Sequence, residues 1–315
     1  MDRILVVRGG AIGDFLLTLP ALKALREARP DSHIEILGYK HIADVAENRF
    51  YAQAVRSIEY GPLSRFFARN LELPAELTNY FRSFDLIFSY LYDPDEIFET
   101  NLRRCGVRNM VCGPGKIVKN DDHAARQLAR PMEELGLRVV DIAEKIFLSD
   151  ADREFGCNFI QGLPKPLITV HPGSGSREKN WPLGNWMELF SAQPAYTKER
   201  TSLIVVSGEA ETAETAQLES AWRNHNIRFA KNLPLPQLAA VLAHSIFIGN
   251  DSGISHLAAA AGANCILLFG PTDPTIWAPR NENVQVLRSR TGKIGDLEVA
   301  VVKAALTQSL ADRFK

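Results

Sequence analysis

A polar turn that follows a short apolar run carries the residue types that bind phosphate groups. The turn consists of Asp251, Ser252, Gly253, Ile254, Ser255 and His256. Its hydroxyl and backbone N–H groups can donate to phosphate oxygens, and His256 can stabilise a phosphate or orient Asp251. The alternative for His256 is a purely structural histidine. A small-residue helix begins near His256, and a second apolar run, 265–269, ends at Gly270. Two strand ends of this kind are typical of a nucleotide site.

A second stretch, HPGSGSREKNWP at 171–182, combines glycines, hydroxyls and a lysine. Ser174 and Gly175 can cradle a phosphate at the end of a strand. Lys179 can neutralise the negative charge that builds on a diphosphate leaving group in the transition state. The alternative is an ordinary solvated turn.

A third stretch follows the first strand of the chain and opens a helix. Gly10 and Gly13 allow the backbone to approach a ligand closely, and Asp14 stands at the mouth of this crevice. A carboxylate there could take a proton from a hydroxyl group, although it could equally serve only as a helix cap. The pattern is not GxGxxG, and Leu37-Gly38-Tyr39 supplies no acidic residue at the end of the next strand, which disfavours a dinucleotide site.

Acidic residues follow another apolar run, 202–207. Glu209 or Glu211 could accept hydrogen bonds from ribose hydroxyls, as acidic residues do after strands in dinucleotide sites. A plain acidic helix N-terminus is an equally good interpretation of this pair.

Short apolar runs alternate with helical patterns throughout the chain, which predicts an α/β fold with parallel, doubly wound sheets. The predicted strands are 3–8, 33–37, 55–60, 85–90 and 109–112, then 167–171, 202–207, 227–230, 246–249, 265–269 and 284–287. Polar residues at 149–152 and a Pro-Lys-Pro segment at 164–166 separate the two series. The pattern predicts two Rossmann-like domains, 1–155 and 156–315, with a final helix from Leu297 that could pack back on the first domain.

The length and composition of the chain limit the classes of function that the protein can have. A length of 315 residues suits two domains, and a net charge of −1 offers no global basic field for nucleic acid. The four cysteines are scattered without metal-ligand spacing, which favours a reduced, cytoplasmic setting and no metal. No apolar stretch approaches the roughly 20 residues of a membrane span. A basic-aromatic patch at 65–69 could touch a membrane surface, or Phe66 or Phe67 could belong to the core.

Three of these stretches together resemble glycosyltransferase family 9, which includes the ADP-heptose:lipopolysaccharide heptosyltransferases. The resemblance is carried by GAIGDFLLTLPAL at 10–22, by HPGSGSREKNWP at 171–182, and by NDSGISHLAAAAG with FGPTDP at 250–274. These segments span nearly the whole chain in the order and spacing of the family. The DSGxxH element followed by FGPTDP is specific, whereas the glycine-rich start alone is weak.

The resemblance implies a GT-B architecture, in which two Rossmann-like domains face a cleft. It assigns the acceptor to the N-terminal domain, 1–155, and the nucleotide-sugar donor to the C-terminal domain, 156–315. Asp14 matches the catalytic base, and the loop with Gly10 and Gly13 lies on the acceptor side. The positions that match donor or nucleotide contacts are Ser174, Gly175, Lys179, Glu211 (with Glu209 as competitor), Asp251, Ser252, Gly253 and His256.

By the same resemblance the reaction is an inverting transfer without metal or cofactor. The expected donor is an ADP-sugar, most simply ADP-heptose, and the expected acceptor is a lipopolysaccharide core or related glycan at the cytoplasmic face of the inner membrane. Two other interpretations remain open at this point: a nucleotide-sugar epimerase of GT-B type, and a non-catalytic binding module. Retention of Asp14, Lys179 and Asp251 together argues against the binding module.

Overall fold

The computed structural model describes residues 2–119, 122–191, 201–208, 212–222 and 226–312. The chain divides into two compact units, Met1–Ile142 and Ala143–Lys315. The division lies earlier in the chain than the predicted boundary at 155/156. The boundary was predicted from the polar residues at 149–152, but the segment before them already contacts the second unit. Ile146 N donates to Ala260 O at 2.9 Å, and the segment after Ile142 therefore belongs to the second unit.

The N-terminal unit contains a parallel sheet in the order β3-β2-β1-β4-β5. Its strands are β1 (Arg3–Arg8), β2 (His33–Gly38), β3 (Ala54–Ser57), β4 (Leu86–Ser89) and β5 (Met110–Cys112). Each pairing between neighbours is parallel. The strand order reverses at β1, because β2 and β3 extend to one side and β4 and β5 to the other. This confirms the doubly wound arrangement expected from the alternation of elements.

Helices connect these strands, as parallel pairing requires, and one further helix, α6, follows the last strand. They are α1 (Ile12–Leu16), α2 (Leu19–Ala28), α3 (Lys40–Ala43), α4 (Ala75–Arg82), α5 (Ile97–Arg104) and α6 (Ala124–Glu134), with a 3₁₀ helix at Gly61–Phe67. The helix expected after the turn with Gly10 and Gly13 consists of two helices, α1 and α2. Pro20 lies in the first turn of α2, a position where its missing N–H costs no helical hydrogen bond.

The core of the N-terminal unit is built from strand residues and aromatic side chains of the helices. Phe66 is fully buried and packs on Phe81, with ring centroids 4.8 Å apart. Phe67 is 45% exposed and stacks on Phe98 at 5.0 Å. The two aromatic residues of the basic-aromatic patch at 65–69 therefore divide between the core and the surface.

The C-terminal unit contains a second parallel sheet in the order β11-β10-β9-β6-β7-β8. Its strands are β6 (Leu167–His171), β7 (Ser202–Ser207), β8 (Asn226–Lys231), β9 (Ile246–Asn250), β10 (Asn264–Phe269) and β11 (Val284–Arg288). The order reverses between β6 and β9, where the two strands pair in parallel. In doubly wound sheets this reversal point opens a crevice at the carboxyl ends of the strands.

The helices of the C-terminal unit surround this sheet. They are α7 (Asp150–Ile160), α8 (Leu183–Ser191), α9 (Thr212–Ala221), α10 (Leu235–Leu242), α11 (Gly253–Ala261), α12 (Pro274–Trp277) and α13 (Val299–Asp312), with 3₁₀ helices at Arg177–Lys179 and Ile294–Asp296. Gly156 in α7 lies directly on α10, since a Cβ added there would stand 2.8 Å from the Ala240 carbonyl oxygen. This close approach fixes α7 to the second unit.

The last helix packs within the C-terminal unit. Val302, Leu306 and Leu310 of α13 are buried in the same core as Trp181 and Trp186. Trp181 Nε1 also donates to the carbonyl of Leu297, just before the helix, at 2.9 Å. These contacts attach the last helix to the core of its own unit.

Within the described part of the chain, none of the helices combines the length and the apolar character that crossing a membrane requires.

Candidate functional site

The reversal point of the C-terminal sheet brings together two segments that the sequence singled out separately. Lys179 lies in the 3₁₀ helix that follows β6, and Asp251 lies directly after β9. Because β6 and β9 are hydrogen-bonded neighbours, their carboxyl ends meet at one edge of the sheet. This edge is where α/β proteins of this topology bind their ligands.

Lys179 and Asp251 form an ion pair at this edge. Lys179 Nζ lies 2.7 Å from Asp251 Oδ2, and Thr272 Oγ1 donates to the same oxygen at 2.6 Å. The Asp251 side chain is 7% exposed, whereas that of Lys179 is 31% exposed. An ammonium group has three N–H donors, so Lys179 can hold Asp251 and still donate to a ligand.

A buried asparagine, which the sequence did not single out, locks the two segments together. Asn250 Nδ2 donates to Pro172 O at 2.7 Å, and its Oδ1 accepts from Trp181 N at 3.1 Å. Both ends of the loop that carries Lys179 are therefore tied to the last residue of β9. The only sequence signal was its position at the strand end, beside Asp251.

The Ser174-Gly175 loop is held by its own hydroxyl group. Ser174 Oγ lies 2.6 Å from Asn180 Oδ1 and accepts from Ser176 N at 3.2 Å. A Cβ added at Gly175 would meet no atom within 4 Å. Packing therefore does not require glycine at 175.

Ser252 begins α11 as its N-cap, and Gly253 is the first helical residue. Ser252 Oγ accepts from the backbone N–H of Ser255 at 3.3 Å and lies 3.4 Å from His171 Nδ1. The Ser252 hydroxyl is thus already part of the helix start, as Ser commonly is at this position. His171, which ends β6, is a further residue of this edge.

His256 forms a buried pair with a glutamate that sequence reasoning missed. Its Nδ1 lies 2.7 Å from Glu144 Oε1, and the two side chains are 5% and 1% exposed. Asn281 Nδ2 donates to the Glu144 carbonyl at 2.8 Å. The pair ties the segment before α7 to the middle of α11, which supports the structural interpretation of this histidine. Glu144 and His256 lie 112 residues apart in the sequence, and no sequence pattern indicates that they pair.

In the N-terminal unit, Asp14 caps the first helix with its own carboxylate. Asp14 Oδ2 accepts from Ala11 N at 2.9 Å, and the Asp14 side chain remains 39% exposed. Gly10 has a φ of +96°, and a Cβ there would stand 2.8 Å from Asp14 Oδ2. Glycine at 10 thus allows the carboxylate to fold back over the turn. Gly13 lies inside α1, next to Asp14.

Arg8, the last residue of β1, contacts Asp14 through its guanidinium group. Its Nη2 donates to the Asp14 carbonyl at 2.8 Å and lies 3.9 Å from Asp14 Oδ1. Burial lowers the pKa of the Arg8 guanidinium, and the nearby Asp14 carboxylate acts in the opposite direction. The sequence identified Arg8 only as the end of a strand. The structure shows that the Arg8 guanidinium is buried. Its Nη1 donates to the Tyr90 carbonyl oxygen at 3.4 Å.

The two remaining candidates, Glu209 and Glu211, lie outside the residues that the structure describes. Across the described ranges, no group of three or more His, Cys, Asp or Glu side chains could hold a metal ion.

Comparison with known proteins identifies the family. Residues 118–301 match the model of Glycosyltransferase family 9 (heptosyltransferase). The chain is 22% identical over 294 residues to lipopolysaccharide heptosyltransferase 3 of Escherichia coli (strain K12), which covers 86% of this chain and 83% of that protein.

Two solved structures show the same fold. The E. coli ADP-heptose lps heptosyltransferase II superposes with a TM-score of 0.80 at 17% identity, covering 100% of each chain. The E. coli heptosyltransferase WaaC with ADP superposes with a TM-score of 0.72 at 19% identity, covering 97% of this chain and 99% of that one. The architecture is therefore GT-B, with two parallel-sheet α/β domains. Because the family match spans more than half of the chain, this protein belongs to glycosyltransferase family 9 and is a glycosyltransferase.

Proposed function

We propose that the protein transfers heptose from ADP-heptose to a lipopolysaccharide core or related glycan, with inversion and without a metal ion. The observation that carries the proposal is the Lys179–Asp251 pair at the reversal point of the C-terminal sheet. The relatives support the substrates, since one is a lipopolysaccharide heptosyltransferase and another was solved with ADP.

The donor side of the proposal uses the carboxyl ends of β6 and β9. Lys179 donates to the diphosphate, where negative charge increases as the bond to the sugar breaks. Asp251, fixed by Lys179 and Thr272, accepts hydrogen bonds from hydroxyls of the sugar. Ser174, Gly175, Ser252 and Gly253 line the diphosphate through their backbone and hydroxyl groups. Glu211 or Glu209 contacts the nucleotide.

The acceptor side uses Asp14 as general base. Asp14 Oδ2 already accepts from Ala11 N, but each carboxylate oxygen has two lone pairs and Oδ1 is available for a hydroxyl proton. In the reaction the acceptor oxygen forms a bond to the anomeric carbon while the bond from that carbon to the diphosphate oxygen breaks. The proton moves to Asp14 and the electron pair leaves with ADP. A single displacement of this kind inverts the anomeric centre.

His256 contributes to this proposal through its helix. Its bond to the buried Glu144 holds α11, whose first turn contains Ser252 and Gly253. A histidine buried in this way acts on the diphosphate indirectly, by fixing the helix start that binds it.

The basic-aromatic patch supports a peripheral contact with the cytoplasmic face of the inner membrane. Phe67 is exposed, and Arg65 and Arg69 flank it on the same segment. Exposed aromatic and basic side chains together favour an anionic lipid surface. Phe67→Ser should reduce co-sedimentation with phosphatidylglycerol vesicles; equal sedimentation of both proteins would rule out this contact.

Donor binding offers the test of this function. We expect ADP to raise the melting temperature of the protein equally with and without excess chelator, because Lys179 supplies the positive charge. Binding at a hundred times the dissociation constant adds about 2.7 kcal/mol to the free energy of unfolding. UDP, GDP and dTDP serve as matched ligands and should give smaller shifts. No shift with ADP, or a shift abolished by chelator, would contradict the proposal.

A further inference from the structure

The N-terminal unit holds an exposed aromatic ring at the sheet edge that carries Asp14. The strands β1, β4 and β5 are consecutive in the sheet, and they are followed in the chain by Asp14, Tyr92 and Lys116 respectively. Because these strands are parallel, the segments after them leave the sheet at the same edge. The Tyr92 residue is 58% exposed. The proposed function uses Asp14 but gives no role to Tyr92 or Lys116.

The loop after β1 and the loop after β4 are held together by the buried Arg8. Its Nη2 donates to the Asp14 carbonyl oxygen at 2.8 Å, and its Nη1 donates to the Tyr90 carbonyl oxygen at 3.4 Å. The two loops also pack closely, since a Cβ added at Gly9 would stand 3.4 Å from Leu91 Cδ2. The loop after β4 is therefore fixed beside the turn that carries the proposed base.

The backbone is held on both sides of the exposed ring. The two carboxylate oxygens of Asp93 accept from Ile97 N at 2.9 Å and from Glu99 N at 3.0 Å, which ties the next residue to the start of α5. The loop after β5 lies against Tyr92, because a Cβ added at Gly115 would stand 2.5 Å from Tyr92 Cα. An aromatic side chain on a backbone that is already fixed loses little conformational entropy when it binds a ligand.

Lys116 lies over one face of the Tyr92 ring. Its Nζ is 3.7 Å from the ring centroid, which is within the range of a cation–π contact. This contact helps to fix the orientation of the ring. Since Tyr92 is still 58% exposed, much of the ring remains open to solvent. An ammonium group has three N–H donors, so Lys116 can also donate to hydroxyls of a molecule that packs beside the ring.

An open aromatic ring next to N–H donors matches the two kinds of surface that a sugar presents. The C–H groups of a pyranose form an apolar face that can pack on an aromatic ring. The hydroxyl groups around the sugar can accept hydrogen bonds from an ammonium group at the side. The ring and the lysine thus provide one contact for each surface.

We propose that Tyr92 is the surface on which a sugar ring of the acceptor stacks, with Lys116 orienting that sugar. The inference rests on the proposed function, which assigns the acceptor to Asp14 in the same unit. It adds a specificity-determining residue, because stacking recognises the C–H face of a sugar. The contribution of Tyr92 should therefore be the same for acceptors with and without phosphoryl groups.

The test measures acceptor binding by calorimetry in the presence of ADP. The acceptor is a heptose-deficient lipopolysaccharide core oligosaccharide, used as such and after phosphatase treatment. Tyr92→Ala removes the aromatic face, Tyr92→Phe retains it, and Lys116→Gln removes the ammonium group. Tyr60→Ala is the matched control, because Tyr60 is an exposed tyrosine of the same unit, 42% exposed, that follows β3. The melting temperature and the ADP affinity of each variant show that it is folded.

We expect Tyr92→Ala to weaken binding of both oligosaccharides roughly fivefold to fiftyfold, the effect of one lost aromatic contact. Tyr92→Phe should bind as the wild type does, and Lys116→Gln should bind roughly twofold to fivefold more weakly. In transfer assays Tyr92→Ala should raise the KM for the acceptor and leave the KM for the donor unchanged. Tyr60→Ala should match the wild type throughout.

Three outcomes would overturn the stacking proposal: wild-type affinity in Tyr92→Ala, an equal loss in Tyr60→Ala, or a loss in Tyr92→Phe as large as that in Tyr92→Ala. A loss of binding to phosphatidylglycerol vesicles with unchanged oligosaccharide affinity would also overturn it, since that result assigns Tyr92 to a membrane surface. Failure of the proposed function is seen separately in the wild-type protein, as an absence of ADP binding or of heptose transfer.

Discussion

At the scale of single residues, Asp14 combines a structural contact with the position expected of a base. Its Oδ2 caps α1 through Ala11 N, and its side chain is still 39% exposed. The cap alone explains why an aspartate stands there. A test of the catalytic role therefore requires a substitution that keeps the capping hydrogen bond and removes only the basicity of the side chain.

Asp14→Asn is that substitution. The amide oxygen of asparagine can still accept from Ala11 N, so the melting temperature should hardly change. ADP affinity should also persist, because the proposed donor residues lie in the other unit. Transfer should slow by roughly 10²–10⁴, the usual contribution of general base catalysis.

The chain provides a matched control for Asp14→Asn. Asp152 occupies the same position in the capping box of α7, where it accepts from Ser149 N at 2.9 Å. Asp152→Asn should leave transfer at the wild-type rate. A wild-type rate in Asp14→Asn as well would reduce Asp14 to a cap.

A second prediction for a single residue concerns Lys179. Lys179→Ala should weaken ADP binding by roughly tenfold to a hundredfold, the effect of one charge-assisted hydrogen bond, and should slow transfer as well. Lys231→Ala is the control, because Lys231 is an ion-paired lysine of the same unit, 3.9 Å from Glu219. Calorimetry measures the affinities; identical ADP affinity in wild type and Lys179→Ala refutes the assignment.

At the scale of elements, the buried His256–Glu144 pair attaches α11 to the segment that precedes α7. His256→Ala leaves a carboxylate that is 1% exposed without its partner, which should cost roughly 3–5 kcal/mol of unfolding free energy. Glu144→Gln should cost less, since an amide oxygen can still accept from Nδ1. Urea unfolding of both variants and of the double variant gives the coupling between the two groups. Unchanged stability in His256→Ala would show that the pair does not hold α11.

The contact between α7 and α10 gives a prediction about glycine. Gly156→Ala places a Cβ 2.8 Å from the Ala240 carbonyl oxygen, and overpacking of this kind should cost roughly 1–3 kcal/mol. Gly184→Ala, in α8, meets no atom within 4 Å and should stabilise the protein slightly. Thermal unfolding of the pair compares the two positions; equal melting temperatures would mean that α7 moves away from α10 without cost.

Patterns within single elements were predictable from the sequence, and contacts between distant elements were not. The strands followed from short apolar runs, and the glycine at 10 followed from the turn after β1. The end of the first unit did not follow, because it depends on Ile146 bonding to Ala260 across the chain. Polar residues at 149–152 look like a linker but form the start of α7, where Ser149 caps the helix.

In the candidate site, too, single residues were predictable from the sequence and the contacts between them were not. Lys179 and Asp251 were each predicted from a strand end, but their contact depends on β6 and β9 being neighbours in the sheet. Asn250, Thr272 and Glu144 were not predicted as site residues, because their roles lie in bonds to residues far away in sequence. Hydrogen-bonding side chains of this kind have no periodicity that a sequence pattern could show.

For the molecule as a whole, we propose that this GT-B protein carries out inverting heptosyl transfer without a metal. The direct measurement is transfer from ADP-heptose to a heptose-deficient lipopolysaccharide core in excess chelator, with the anomeric configuration of donor and product compared by NMR. We expect a new glycosidic linkage of inverted configuration, formed at the same rate with and without chelator. Retained configuration, loss of transfer in chelator, or release of free heptose without any transfer would contradict it.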